Sequence, residues 1–139
     1  MTTIDTPRRI SALLSWPGLI VPIRIALVSA FVIGGVAKLT DFPAAVAEQE
    51  LFGLHPGWLW ATATIIVELG GSALVIAGRW VWLGCGALGV LTAVAMLVAN
   101  NFWALTDHAR FMSVNSFFEH LGLIAGLVLL SVHSSRRGA

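Results

Sequence analysis

Hydrophobic and polar positions alternate along this chain on a long scale: four apolar runs of about twenty residues, separated by short polar stretches. The runs lie at about 19–39, 58–78, 82–103 and 117–133. Each matches the ~20 apolar residues that a helix needs to cross ~30 Å of hydrocarbon. Trp58 and Trp60 open the second run, and Trp80 and Trp82 lie beyond its other end, as aromatic belts do at the two membrane surfaces. The pattern predicts an all-α integral membrane protein, a four-helix transmembrane bundle over residues 19–134. An interfacial segment (1–18) leads into it and a short tail (135–139) follows.

The connections are informative in different degrees. Arg8 and Arg9 open a stretch that ends at Trp16-Pro17; no A-x-A site closes it, so an interfacial lead-in is expected rather than a signal peptide. In 40–57, Asp41 ahead of Pro43 has the form of a helix start. Phe42, Val46, Phe52 and Leu54 would lay such a helix on the membrane surface, although an ordinary loop fits the stretch too. Residues 104–116 are expected to form a loop carrying Asp107, His108 and Arg110.

Within the runs, polar residues fall on definite faces. Arg24, Phe31 and Lys38 are seven apart, on one stripe of the first span, with Gly34 and Gly35 allowing close approach. Ala61, Thr64, Glu68, Gly71, Ser72 and Val75 form a small and polar stripe of the second, with Glu68 at its centre. Cys85, Gly89, Ala93, Met96 and Asn100 form the narrow face of the third. Glu119, Gly122 and Gly126 share a face of the fourth and are expected to point inward. A charge at mid-membrane costs at least ~3 kcal/mol, so Glu68 needs a partner or a proton. Estimated depths suggest two layers: an ion pair of Arg24 with Glu68, and an outer layer of Lys38, Asn100, Glu119 and His120 with Trp103 nearby.

Composition sharpens the class. Of 139 residues, 58% are hydrophobic and 11% charged, which excludes a soluble domain, and a net charge of +1 gives no signal for nucleic acid. Arg8, Arg9, Arg79, Arg136 and Arg137 gather on one side of the four spans, so the positive-inside rule places both termini in the cytoplasm.

An Arg early in span one, GGVAKL with its Lys, DF...ELFGLHP, IIVELGGSALVIAG, NNFW and FFEHLGLIAG together resemble the DoxX family over about residues 22–130. The resemblance implies a four-helix protein of the bacterial inner membrane. Some members of that family are linked to thiosulfate oxidation with quinone as acceptor and others to redox-stress assemblies; distant relatives act as cargo receptors or chaperones. The fold therefore leaves the function open.

Chemistry narrows the candidates further. His120 and His133 share one helix and spans one to three hold no His, so a bis-His haem is not expected. No tight cluster of metal-ligating residues is apparent and no metal is expected. A quinone needs an apolar slot, hydrogen-bond donors and a proton acceptor, which Lys38, Asn100, Trp103, Glu119 and His120 offer. The expected function is a redox-associated membrane subunit contacting quinone, with a protein partner or a homo-oligomer in the lipid bilayer. An accessory, chaperone-like subunit and a small oligomeric transporter are the alternatives, as are purely structural ion pairs.

Overall fold

The computed structural model describes residues 6–137, so residues 1–5 and 138–139 of the terminal segments lie outside it. Helix α1 (Arg8–Leu14) carries no buried residue, and a 3-10 turn (Pro17–Leu19) leads into α2 (Ile20–Thr40). A short α3 (Phe42–Leu51) precedes α4 (Gly57–Ala77) and α5 (Val81–Ala99), and a second 3-10 turn (Phe102–Ala104) leads into α6 (Asp107–Arg137). Four helical segments, Pro17–Thr40, Gly57–Ala77, Val81–Ala104 and Asp107–Arg136, are long and apolar enough to cross a membrane. No strand occurs among the described residues.

Two connections fold more than a loop would. The Asp41 carboxylate accepts a hydrogen bond from the Ala44 amide at 3.2 Å, capping α3, while Pro43 occupies a first-turn position whose missing N–H costs nothing there. The expected loop at 104–116 is helical from Asp107 onward. Physically, residues 107–116 (DHARFMSVNS) contain neither Gly nor Pro, and nothing in them stops the helix of the fourth span from extending backwards by three turns.

Adjacent long helices run antiparallel, and their packing is set by small residues. Gly35 of α2 lies against Leu69 and the Glu68 Cβ. Between α4 and α5, a Cβ on Gly84 would stand 2.7 Å from the carbonyl oxygen of Gly71. A van der Waals approach of this kind is what holds helices together where lipid is as apolar as the side chains. The buried core joins Val28 and Phe31 of α2, Val75 of α4, Val81, Cys85 and Leu88 of α5, and Leu127 and Leu130 of α6. It occupies the half of the bundle nearer the Gly78–Trp80 turn, called here the terminal face. The opposite end, where α3 sits, is the α3 face.

Candidate functional site

The site forms where α2 and α4 cross at Gly34 and Gly35. Cα–Cβ bonds tilt toward a helix's N-terminus. Lys38, near the α3 end of α2, therefore leans inward, and Glu68, deeper on the antiparallel α4, leans outward to meet it. Lys38 Nζ lies 3.2 and 3.3 Å from Glu68 Oε1 and Oε2. The carboxylate rests on the bare backbone of Gly34, where a Cβ would lie 3.3 Å from Oε1 and 3.4 Å from Lys38 Nζ. Both side chains are largely removed from solvent, at 19% and 11% exposure.

The same tilt rule explains why the expected Arg24–Glu68 pair does not form. Arg24 lies toward the terminal end of α2 and leans further that way, whereas Glu68 leans to the α3 face, so the two diverge. The Arg24 guanidinium instead packs against Gly78, which ends α4 in a left-handed conformation at φ 72°. A cation there meets the negative end of the α4 dipole, although its buried Nε has no hydrogen-bond partner.

The expected outer layer does not assemble either. Asn100 is buried as the C-cap of α5. His120 Nδ1 lies 2.6 Å from the carbonyl oxygen of Ser116 in its own helix. Trp103 is 64% exposed, edge-on to Phe102. Glu119 is exposed rather than inward. In α6 the buried positions Ser113, Leu127 and Leu130 fix a stripe that also carries Ser116, His120 and Leu123. Glu119, one residue from His120, is turned ~100° away from that stripe. Gly122 has open space where a Cβ would stand, so the G-x-x-x-G step is not a tight contact there.

What the structure adds is a groove. Its volume is about 650 Å³, between α3, α4 and α5, and its lining is almost wholly apolar. It follows α5 from Trp82 to Ala99, a length of roughly 25 Å at the helical rise. Toward the α3 face its wall carries Lys38, Glu68, Thr64, Gln49 and Glu48. Thr64 and Glu68 are one turn apart on α4, and α3 contributes the buried Gln49. Neither α6 nor Asn100 or Trp103 lines it. Sequence reasoning passed over Gln49 and the α5 wall.

The DoxX family model matches residues 19–101. The chain belongs to the DoxX family. No curated protein and no solved structure matches it. The matched DoxX segment contains the ion pair and the entire groove lining, and it ends before α6, so FFEHLGLIAG falls outside it. Among the described residues, no three His, Cys, Asp or Glu gather closely enough to hold a metal ion.

Proposed function

We propose that this DoxX protein binds a quinone in the α3–α4–α5 groove and serves as a redox-associated membrane subunit. The observation that carries the reading is the Lys38–Glu68 pair, the one ion pair among the described residues, set in the wall of a long apolar groove. An isoprenoid tail would lie along the Ala, Gly and Val wall of α5. The head would stand by Lys38, Gln49 and Thr64, whose N–H and O–H groups donate to quinone carbonyls, while Glu68 accepts from a quinol hydroxyl. Protons are the part of quinone chemistry these residues handle; electrons would come from a partner carrier.

Decylubiquinone retention by protein in mild detergent, followed by native mass spectrometry, tests this. Wild type and Glu119→Gln should retain it, and Lys38→Met and Glu68→Gln should bind it about tenfold more weakly, the equivalent of a hydrogen-bonded contact of ~1.4 kcal/mol. Equal binding by all four proteins would remove the assignment. A second reading has its own observation: Gly86 and Val90 are exposed on the groove wall, a surface narrow enough for another transmembrane helix. In that case the protein is an accessory subunit, and the variants would lose a protein partner instead of a quinone.

A further inference from the structure

A second depression, of about 410 Å³, opens at the elbow between α2 and α3. It is lined by Gly34 and Ala37 of α2, by Asp41 at the elbow, and by Ala44 and Glu48 of α3. Lys38 and Glu48 line both this depression and the groove. Asp41 and Glu48 are exposed, whereas Glu68 is buried. Lys38 thus stands between a depression edged by the Asp41 and Glu48 carboxylates at the α3 face and the apolar groove, with Glu68 on the groove side.

We propose that the elbow depression is a water-filled vestibule and that the Lys38–Glu68 pair passes protons between it and the groove, so that a groove ligand exchanges protons with the α3 side alone. The inference deepens the quinone reading by assigning its protons a side. In each transfer the Lys38 ammonium passes a proton to the Glu68 carboxylate, the resulting carboxyl gives it to an oxygen of the head group as the partner's electrons reduce it, and a proton carried by vestibule water returns the Lys38 amine to ammonium. Only N–H and O–H bonds form and break, and charge is conserved. The charged groups facing the pair are Asp41 at the end of α2 and Glu48 on α3; α5 contributes none to either cavity. Two carboxylates at the mouth raise the local proton concentration. From the other side, the groove's apolar lining keeps bulk water from short-circuiting the path.

Single cysteines on a Cys85→Ala background in proteoliposomes test the vestibule, with a charged, impermeant methanethiosulfonate as probe. Ala37→Cys lines the vestibule, Val36→Cys faces lipid one residue away, and Leu51→Cys is an exposed control at the end of α3. Because the thiolate forms only in contact with water, Ala37→Cys should react roughly a hundredfold faster than Val36→Cys and within about tenfold of Leu51→Cys. Equal rates at 36 and 37 would overturn the vestibule. Proton access is read by infrared spectroscopy in D2O, as the wild-type minus Lys38→Met difference. The Lys38 ammonium signal should shift within seconds in wild type and at least about tenfold more slowly in Ala37→Trp, which fills the vestibule; exchange at the same rate in both would overturn the water path to Lys38. Decylubiquinone binding is scored separately: its loss with labelling and exchange intact would sink the quinone reading and leave the water path standing.

Discussion

Removing either member of the Lys38–Glu68 pair alone should cost more than removing both. At 3.2 Å, an effective dielectric constant of ~20 gives a gross Coulomb attraction of about 5 kcal/mol. Desolvation of both groups offsets much of that, so the pair contributes little net stability compared with an apolar pair, whereas a lone buried charge costs about 3–5 kcal/mol. A group left alone escapes part of this cost by changing its protonation state, which brings the expected loss to about 2–3 kcal/mol for Lys38→Met and for Glu68→Gln. The double variant should lose only about 1–2 kcal/mol, leaving a coupling of about 3 kcal/mol. SDS-driven unfolding in mixed micelles, followed by tryptophan fluorescence, measures all four corners of the cycle. Strict additivity, with no coupling, would refute the argument that the two side chains satisfy one another.

Further outcomes follow from the packing and the groove. Gly84→Val should destabilise the bundle by about 1–3 kcal/mol, because the Gly71 carbonyl stands where the new side chain must go; Gly86→Ala, with nothing within 4 Å, should leave the same unfolding curve unmoved. Gly78→Ala should cost about 1–2 kcal/mol from its left-handed backbone, and part of that loss should be recovered by Arg24→Met, which removes the guanidinium it would strike. Glu119→Gln, on an exposed face, should shift stability by less than about 0.5 kcal/mol. Val90→Trp should fill the groove and weaken decylubiquinone about tenfold or more without loss of fold, as checked by circular dichroism and retained binding of bulk lipid.

The four membrane helices and the inward faces of α2 and α4 were legible because each long apolar run carries its few polar residues at helical spacing; on α5, Cys85, Met96 and Asn100 are buried as expected, whereas Gly89 and Ala93 are only half-buried. Glu68, Gly71, Ser72 and Val75 are all buried, as that spacing requires. The fourth helix misled for a physical reason: two overlapping stripes fit its sequence, and Leu127 with Leu130 decides for the one that excludes Glu119. Depth alone made Arg24 a plausible partner for Glu68, but side-chain tilt on antiparallel helices selects Lys38. Gln49 and the open wall of α5 could not be read from one sequence, since a surface left unfilled has no periodic signature of its own. The orientation of the termini remains an expectation of the arginine distribution, and the labelling experiment reports it through the side on which Leu51→Cys reacts.

The central claim, that the groove beside the ion pair holds the ligand, is tested most directly by photocrosslinking with an azido-quinone followed by peptide mapping. Attachment is expected on α4 between Trp60 and Glu68 and on α5 between Leu83 and Val98, suppressed by excess decylubiquinone and absent in Val90→Trp. Attachment centred on α6, or spread without competition over all lipid-facing helices, would contradict it.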